Sequence, residues 1–360
     1  MNSSAIGVVV VTFRSGDVIV ECLESLFNST GVELKVVVVD NASPDDTVEV
    51  IRAWANGQTP YVRPAASPLP ETDPIEKPIE LLELDESQAT RGGLGRLTLV
   101  HSRLNRGYGG GVNLGLKALQ NEVGLYWVLN PDCAAPPGTA RAFVEAAQAN
   151  DGFGLMSCPV IYYGRPDRIQ SAGGSVNRFT GVCSHRLADA PVSDLSAPKP
   201  GELDWVSGAN LVASKPFLQA VGLMREDYFL YFEEVDWAFR RGDLPIVFLT
   251  DAVVYHHGGT AIGSGSMMQR ASAFSEYLNY RNRIRFSRRF LGRPPLGAYL
   301  YGLAKAAQSL LRGEVEQATA IVAGVLELRP PRPVASRIDD PEVAALAFGR
   351  ASLRPRIPTT

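Results

Sequence analysis

At 360 residues the chain is long enough for one large α/β domain with an extension, or for two domains. A hydrophobic content of 45% and a charged content of 20% are ordinary for a globular protein. The net charge of −3 argues against a nucleic-acid-binding protein. The four cysteines form no CxxC pair and no zinc spacing, so reduced thiols in the cytosol are the simplest interpretation.

The N-terminal residues give no sign of export. Residues 1–5 lack the basic region of a signal peptide, and no apolar run reaches the ~18 residues that a bilayer-spanning helix requires. We therefore expect a soluble cytoplasmic protein, with attachment to the inner face of the cell membrane as the alternative.

The first hundred residues predict a strand–helix–strand–helix unit. Residues 6–13 and 34–39 are apolar, β-branched runs typical of buried strands, and an amphipathic helix pattern follows each. Such an order predicts parallel strands, whose carboxyl ends lie side by side at the edge where ligands bind. Those ends carry Thr12 and Arg14 on the first strand and Asp40 on the second.

Residues 58–95 differ from their surroundings because they are rich in proline and acidic residues. This composition predicts an inserted surface loop with a short helix near residues 79–84. We expect the loop to interrupt a domain covering residues 1–290 rather than to separate two domains.

A glycine-rich loop follows the predicted strand at residues 97–101. Asn105 precedes Gly107 and Gly109, and the loop opens a helix. It fails the dinucleotide-binding fingerprint because Val112 replaces the last glycine. A loop of this kind can bring backbone amides close to a phosphate or a sugar hydroxyl. A tight turn that needs small residues is the alternative.

Residues 125–129 predict a strand buried on both faces, ended by Asn130 and Pro131. Asp132 then lies just past the carboxyl end of this strand. A carboxylate there can hold a divalent cation, which in turn can hold a diphosphate. The alternative is a turn in which Asp132 caps the backbone. A helix at 137–149, a strand at 154–161 and an irregular segment at 162–202 are expected next.

At residues 228–237, four aromatic residues run directly into Glu233, Glu234 and Asp236, where a helix is predicted to begin. Helical spacing puts Glu233 and Asp236 on one face and Glu234 on another. An acid against an aromatic wall tends to have a raised pKa, as a general base near neutral pH requires. The alternative is that the acids complement the helix dipole and the aromatics belong to the core.

His256 and His257 directly follow a predicted strand at residues 252–255 and precede Gly258 and Gly259. Adjacent side chains on a strand point to opposite faces, so only one histidine is expected to serve a given site. The glycines would let a ligand approach closely, which favours a ligand-binding role over a purely structural one.

Three helices are predicted towards the C-terminus, at residues 268–290, 296–311 and 315–328, before a loose Pro/Arg-rich tail at 331–360. The second half of the first helix contains five arginines, at positions 281, 283, 285, 288 and 289. A basic helix followed by apolar ones suits an acidic membrane surface. Packing against the main domain with solvated arginines is the alternative.

Eight short motifs in this order resemble an inverting family 2 glycosyltransferase with a GT-A fold, in the rhamnosyltransferase-like branch that builds bacterial cell-surface polysaccharide. They are Val-Val-Thr-Phe at 10–13, Val-Asp-Asn-Ala-Ser at 39–43, Asn-Arg-Gly-Tyr-Gly at 105–109, Leu-Asn-Pro-Asp at 129–132, Asp-Trp-Val-Ser-Gly-Ala at 204–209, Tyr-Phe-Glu-Glu-Val-Asp at 231–236, His256 with Gly258 and Gly259, and Tyr-Arg-Asn-Arg at 280–283.

The resemblance implies an α/β fold: a Rossmann-like, mostly parallel sheet flanked by helices, with a helical extension at 291–330. It also implies a hexosyltransferase that moves a sugar, best matched by L-rhamnose from dTDP-L-rhamnose, to a hydroxyl of a saccharide or lipid-linked acceptor. The implied cofactor is Mg²⁺ or Mn²⁺.

The resemblance also assigns roles to residues. Asp132 and His256 would bind the metal, and Glu234 would be the general base, with Glu233 and Asp236 as neighbouring candidates. The nucleotide and sugar would be bound by Thr12, Arg14, Asp40, Asn105, Gly107, Gly109, Asn130, Trp205 and Gly208. Two of these depart from the family pattern: Asn130 replaces the first acid of a DxD motif, and Arg14 stands where the branch often has asparagine.

Three alternatives remain open from the sequence. The donor could be a UDP-hexose or UDP-galactofuranose instead of dTDP-rhamnose. A nucleotidyltransferase would need a basic, Gly-rich loop directly after the first strand, which residues 13–17 match poorly. A sugar-nucleotide-binding protein without turnover is compatible with Asn130, but Glu234, Asp132 and His256 argue against it.

Overall fold

The computed structural model describes residues 5–258, 271–292 and 294–349. The strands are β1 Ala5–Thr12, β2 Glu33–Asp40, β3 Leu81–Asp85, β4 Leu97–His101, β5 Leu125–Leu129, β6 Cys133–Ala134, β7 Leu155–Ser157, β8 Val160–Tyr162, β9 Arg165–Ser171, β10 Gly174–Val176, β11 Cys183–His185, β12 Asn210–Ser214, β13 Ile246–Phe248 and β14 Val254–His256.

The α-helices follow in the same order along the chain. They are α1 Ile19–Phe27, α2 Thr47–Ala55, α3 Glu86–Ala89, α4 Gly107–Leu119, α5 Thr139–Ala149, α6 Lys215–Val221, α7 Glu233–Phe239, α8 Ala273–Phe290, α9 Leu296–Leu311, α10 Val315–Val325, α11 Arg332–Ala335 and α12 Pro341–Phe348. Single 3₁₀ turns occur at Val192–Asp194 and Glu226–Tyr228.

The central sheet has eight strands in the order β13-β7-β12-β5-β1-β2-β4-β3. All strand pairs are parallel except those made by β12, which is antiparallel to β5 and β7. The predicted α/β class with a mostly parallel sheet is confirmed. As expected for such a sheet, the carboxyl ends of β1, β2, β4 and β5 lie along one edge.

Helices cover both faces of the sheet, which explains why β1 is apolar throughout. Val8 and Val10 belong to the core shared with α1, whereas Val9 and Val11 pack on the other face against α4. Glycines of α4 allow this contact, since a Cβ at Gly115 would lie 2.5 Å from Val9. The close approach brings the start of α4 to the ligand edge of the sheet.

A smaller sheet, in the order β6-β14-β8-β9, lies beside the carboxyl end of β5. β6 directly follows the turn that contains Asp132, and it pairs with β14, which ends in His256. This antiparallel pairing places Asp132 and His256 next to each other, although they are 124 positions apart in the sequence (256 − 132).

Three local predictions are corrected. The helix expected near residues 79–84 is the strand β3, because the leucines of Leu81–Asp85 complete the free edge of β4. The segment at 162–202, expected to be irregular, contains β9, β10 and β11. The tail expected to be loose contains α11 and α12 in its described part, where Val334 and Val343 are buried.

The C-terminal helices α9 and α10 lie where the sequence predicted helices, and α10 packs along α8. Parts of several predictions lie outside the described residues: the start of the helix expected from Met268, Gly259 beside the histidines, and residues 350–360 of the tail. None of the described helices combines the length and the hydrophobicity that crossing a bilayer demands.

Candidate active site

The ends of β1 and β2 form one wall of the candidate site. Asp40 ends β2 opposite Thr12, and its carboxylate accepts hydrogen bonds from the Ser43 amide at 3.2 Å and the Thr12 hydroxyl at 3.4 Å. Burial is the main cause of the raised pKa of Asp40. Thr12 itself is fully buried. Its side chain therefore supports Asp40, and a contact of Thr12 with a nucleoside stays a prediction.

Arg14 follows β1 and is exposed to solvent. Its backbone has a φ of 55°, which is uncommon for a residue with a Cβ, and its amide donates to the Ser43 hydroxyl at 3.2 Å. The hydrogen bond to Ser43 thus fixes the loop after β1 to the turn after Asp40. A contact between the Arg14 guanidinium and a diphosphate stays a prediction.

Two asparagines shape the glycine-rich loop that opens α4. Asn105 Oδ1 accepts from the Gly107 amide at 2.8 Å and from Asn41 Nδ2 at 3.1 Å, while Asn41 Oδ1 accepts from the Arg106 amide at 3.0 Å. Asn105 is thus engaged in holding the loop. Sequence analysis did not single out Asn41, although its place directly after Asp40 at the strand end was a usable signal.

Gly107 is where this loop touches the acid-bearing segment. Its φ is 72°, and a Cβ here would lie 2.1 Å from the Phe229 carbonyl oxygen, which accepts from the Tyr108 amide at 2.8 Å. Gly109 lies against Glu233, since a Cβ at this position would be 3.5 Å from Glu233 Cβ. Both glycines therefore bring two backbone segments together, and their contact with nucleotide or sugar stays a prediction.

The metal side of the site is built by the turn after β5 and the end of β14. His256 Nε2 lies 3.0 Å from Asp132 Oδ1 and 3.3 Å from Asn130 Nδ2. The Gly258 amide donates to the second Asp132 oxygen at 3.2 Å. These two predicted metal ligands are thus brought together, and Asn130 lies beside them.

The chemistry of this cluster fits a divalent cation. The ligand atoms of Asp132, Cys133 and His256 lie within 4.8 Å of one another. Asn130 Oδ1 is buried and has no hydrogen-bond partner among the described residues, so it is a further oxygen that a cation could satisfy. Cys133 is a poorer candidate, because burial raises the pKa of its thiol and Mg²⁺ and Mn²⁺ prefer oxygen ligands.

The acid pair lies at the start of α7. Glu233 is buried, and its Oε2 has no hydrogen-bond partner within the described parts of the chain. Glu234 is partly exposed and borders Gly208, where a Cβ would lie 3.6 Å from Glu234 Cγ. The predicted difference in the faces of the two side chains is therefore observed.

Burial raises the pKa of both carboxyl groups. For Glu233 the charge of Glu234 adds to the effect, while for Glu234 the backbone amides at the helix start oppose it. Two neighbouring carboxylates withdrawn from water do not both ionise easily. Glu233, the more deeply buried group, is expected to keep its proton longer, which leaves Glu234 as the group that accepts one.

Asp236 has a different environment. It is fully buried and ion-paired with Arg240 at 2.7 Å and with Arg289 at 2.8 Å, and it accepts from the Tyr228 hydroxyl at 3.0 Å. A carboxylate that is fully buried and holds two arginines and a hydroxyl supports the fold and has no access to an acceptor from solvent. These contacts favour a structural role for Asp236, and its place among the catalytic candidates stays a prediction.

Strained backbone presents the acid pair, and α8 stabilises it. Phe229, Tyr231 and Phe232 all have positive φ, between 65° and 75°, which is costly for bulky residues. Asn282 Nδ2 donates to the carbonyl oxygens of Leu230 at 2.7 Å and Tyr231 at 3.0 Å. This side chain of α8 therefore offsets part of the strain.

Two arginines of α8 also donate hydrogen bonds to the backbone that leads to the acid pair. Arg281 and Arg285 are buried and donate to the carbonyl oxygens of Tyr228 at 3.0 Å and Asp227 at 2.7 Å. The expectation that these two arginines are solvated or face a membrane is wrong. They replace water as hydrogen-bond donors to a turn that has few partners of its own.

Tyr108 connects the metal side with the acid side. Its hydroxyl donates to the Gly208 carbonyl at 2.6 Å. Its pKa is raised, chiefly by burial and then by the charges of Glu233, Glu234 and Asp132. A Cβ at Gly208 would lie 3.5 Å from Tyr108 Cε1 and 3.6 Å from Glu234 Cγ, and the next residue, Ala209, accepts from the Asn130 amide at 3.0 Å. The segment at 208–209 therefore links Tyr108 and Glu234 to the turn that contains Asp132. Sequence analysis quoted this residue but gave it no role.

Trp205 packs against the hairpin of β10 and β11. It is buried, with its ring edge-to-face against His185 at 4.9 Å and its indole nitrogen donating to the Ser175 carbonyl at 3.4 Å. The hairpin of β10 and β11 therefore covers Trp205. Its predicted border with the sugar stays untested, whereas Gly208 is next to Glu234.

A family model described as glycosyl transferase family 2 matches residues 7–67. The match covers β1, α1, β2 and α2, and so includes Asp40. No curated protein matches the chain significantly.

Solved structures show the same fold at low sequence identity. GalNAc-T7, solved with UDP, GalNAc and Mn²⁺, has a TM-score of 0.55 and 12% identity; the match covers 91% of this chain and 56% of that one. The chain thus spans little more than half of GalNAc-T7. At 12% identity the likeness establishes the GT-A fold alone.

Two further structures have lower scores. The mannosyltransferase PcManGT from Pyrobaculum calidifontis, in complex with GDP-Man and Mn²⁺, has a TM-score of 0.45 and 16% identity, covering 89% of this chain and 86% of that one. S. aureus TarS 1-349 in complex with UDP-GlcNAc has a TM-score of 0.47 and 16% identity, covering 89% and 82%. At these scores they add nothing to the argument from the fold.

Proposed function

Taking the chain as a family 2 glycosyltransferase with the GT-A fold, as its family match and fold indicate, we propose that it transfers a sugar from a nucleotide-diphosphate donor to an acceptor hydroxyl with inversion. The observation that carries this proposal is that Asp40 and the Asp132–His256 pair lie at one sheet edge, and that Glu234 reaches this edge through its contact with Gly208, next to the Ala209 carbonyl that accepts from the Asn130 amide. Asp40 binds the nucleoside, the Asp132–His256 pair binds the diphosphate through a cation, and Glu234 activates the acceptor hydroxyl.

The donor is placed by the residues at the strand ends. Asp40 offers a buried acceptor to the nucleobase, and the glycine-rich loop at Gly107 and Gly109 would line the pocket for the sugar and the phosphates. Asp132 and His256 would hold Mg²⁺ or Mn²⁺, which when bound offsets the negative charge that develops on the departing diphosphate. Asn130 in place of an acid leaves this site with one charge fewer.

Glu234 performs the proton transfer. The acceptor hydroxyl must lose its proton as it attacks the anomeric carbon, and a carboxylate with a raised pKa is a suitable base. Glu233 lies behind it without access to solvent and keeps the local charge low by retaining its proton. Inversion needs no covalent intermediate on the enzyme.

We further propose dTDP-L-rhamnose as the donor, on the resemblance of the motifs to the rhamnosyltransferase-like branch, with a role in cell-surface polysaccharide synthesis. A lipid-linked acceptor is supported by α9, whose outward face exposes Leu296, Leu300 and Leu303. An apolar face of this kind suits a protein that works beside a membrane surface. A soluble saccharide acceptor is the competing possibility for the same site.

A thermal-shift screen tests the proposal. The purified protein is heated with dTDP, UDP, GDP and their sugars, each with and without Mn²⁺ or Mg²⁺. A selective ligand at a hundredfold excess over Kd stabilises by about 2.7 kcal/mol. A metal-dependent shift with dTDP or dTDP-rhamnose supports the donor, and a shift only with UDP-sugars overturns the donor but keeps the reaction. No shift with any nucleotide overturns the proposal.

A further inference from the structure

Gln170 makes a contact with the metal side of the site that no sequence motif indicated. Its Oε1 lies 2.6 Å from His256 Nδ1, the ring nitrogen opposite the one that faces Asp132. Gln170 belongs to β9, which is separated from β14 by β8 in the smaller sheet. A side chain on β9 would therefore not ordinarily be a neighbour of His256.

A β-bulge explains the contact. In the pairing of β8 with β9, Ile161 faces Ile169 and Val160 faces Ser171, so Gln170 is the extra residue of the bulge. A bulge bends the strand and redirects a side chain that regular pairing would keep in register. Here it directs Gln170 across the end of β8 to the imidazole of His256.

The contact determines which ring nitrogen of His256 can bind a cation. In the neutral imidazole one nitrogen donates and the other accepts. The Gln170 carbonyl accepts from Nδ1–H, so Nε2 carries the lone pair, and it faces Asp132 Oδ1 at 3.0 Å. In the neutral ring these two acceptors repel each other, and a cation that binds both removes the repulsion.

The hydrogen-bond partner of His256 Nδ1, the Gln170 side chain, is a neutral amide. In many metal sites a carboxylate holds the second ring nitrogen of a histidine ligand. Gln170 provides the same acceptor without a further negative charge beside Asp132. Gly258 lies directly against this amide, since a Cβ at Gly258 would be 2.7 Å from Gln170 Nε2.

We propose that Gln170 is a positioning residue that holds His256 as the tautomer whose Nε2 lone pair faces a divalent cation bound by Asp132. Gln170 touches neither cation nor substrate and acts through the imidazole. This inference rests on the proposed function, because it requires that Asp132 and His256 bind a metal.

Mn²⁺ binding to the full chain tests the inference without any assay of activity. The loss of the electron paramagnetic resonance signal of free Mn²⁺ is titrated for wild type, Gln170→Leu, Gln170→Glu and a control, Gln219→Leu, at an exposed position of α6. Removing a partner of this kind typically costs about 10–100-fold in metal affinity, so we expect that loss in Gln170→Leu. Gln170→Glu, which still accepts from Nδ1–H, should bind at least as well as wild type.

A second measurement reads the tautomer directly. The ¹⁵N shifts of His256, at a pH where the ring is neutral, should show a protonated Nδ1 in wild type and a mixture of tautomers in Gln170→Leu. A wild-type ring protonated on Nε2 overturns the inference. Should Gln170→Leu not fold, this wild-type spectrum and the Gln170→Glu titration still decide.

The outcomes separate the two proposals. If wild type binds Mn²⁺ and Gln170→Leu binds it equally well, the inference fails while the proposed function stands. If wild type binds no Mn²⁺ but binds a nucleoside diphosphate, the metal-dependent part of the proposed function fails and the inference with it.

Discussion

The candidate site has two halves that are built in different ways. We call the part with Asp40 and Asp132 the strand-end half, and the part with Glu233 and Glu234 the acid-bearing half. Asp40 and Asp132 both follow buried parallel strands. Asp40 accepts a hydrogen bond from Ser43, three residues away, whereas Asp132 meets His256 through the pairing of β6 with β14. Glu233 and Glu234 instead follow a strained turn held by Asn282, a side chain about fifty positions later. Local pattern therefore places the carboxylates of the first half, to which strand pairing adds His256, whereas the second half depends on long-range hydrogen bonds from α8.

The largest expected effect is that of Glu234→Gln, which separates catalysis in the acid-bearing half from donor binding in the strand-end half. Replacing the base in Glu234→Gln should lower kcat by about 10²–10⁴-fold, because the acceptor hydroxyl loses its proton acceptor. Donor affinity should stay within a few-fold of wild type, since the strand-end half is untouched. Release of nucleoside diphosphate measures the rate. Glu145→Gln, at an exposed position on α5, is the control; a Glu234→Gln enzyme with more than a tenth of wild-type kcat would contradict the role.

Asn282→Leu should weaken the acid-bearing half alone. The carbonyls of Leu230 and Tyr231 lose their donor, at about 1–3 kcal/mol for each buried group left unpaired, so the free energy of unfolding and kcat should both fall. Nucleotide affinity, measured by calorimetry, should persist in the folded protein. Asn150→Leu, at an exposed position, serves as control. An equal loss of nucleotide affinity would show that the two halves are not independent.

Gly107→Ala alters the contact between the glycine-rich loop and the segment that leads to Glu233 and Glu234. A Cβ here meets the Phe229 carbonyl at 2.1 Å, and the φ of 72° adds about 1–2 kcal/mol of strain. Gly93→Ala is a matched control, with a φ of 75° but nothing within 4 Å of the new methyl. Urea unfolding should show a clearly larger loss of stability for Gly107→Ala. Equal losses would mean that the contact is easily relaxed.

The smallest effect concerns Glu233 and pH. Its pKa is raised in the folded state by burial and by Glu234, so the fold binds this proton more tightly than the unfolded chain does. That stabilisation is present at acid pH and is lost as the pH rises through the raised pKa. Glu233→Gln should therefore gain melting temperature over wild type as pH increases. A difference independent of pH would argue against a raised pKa.

The sequence predicted well what local pattern determines. The alternation of strands and helices up to Asp132, and the carboxylates at the strand ends, follow from short apolar runs and the residues that end them. The start of the helix at Glu233 was also predicted correctly.

What the sequence did not reveal depends on tertiary contacts. The pairing of Asp236 with arginines of α8 and the burial of Arg281 require α8 to pack on α7 and its preceding turn, which no local pattern specifies. The Gln170 contact depends on a bulge inside a segment expected to be irregular. The strand β3 was taken for a helix because its pairing partner β4 supplies the deciding interaction.

The most direct test of a metal-dependent nucleotide-sugar site is calorimetric titration of the preferred nucleoside diphosphate with and without Mn²⁺, on wild type and Asp132→Asn. We expect Mn²⁺ to tighten binding to wild type by tenfold or more and to have little effect on the variant. Equal affinity with and without Mn²⁺ in wild type, or the same Mn²⁺ dependence in both proteins, would contradict the assignment of Asp132 and His256 to the cation.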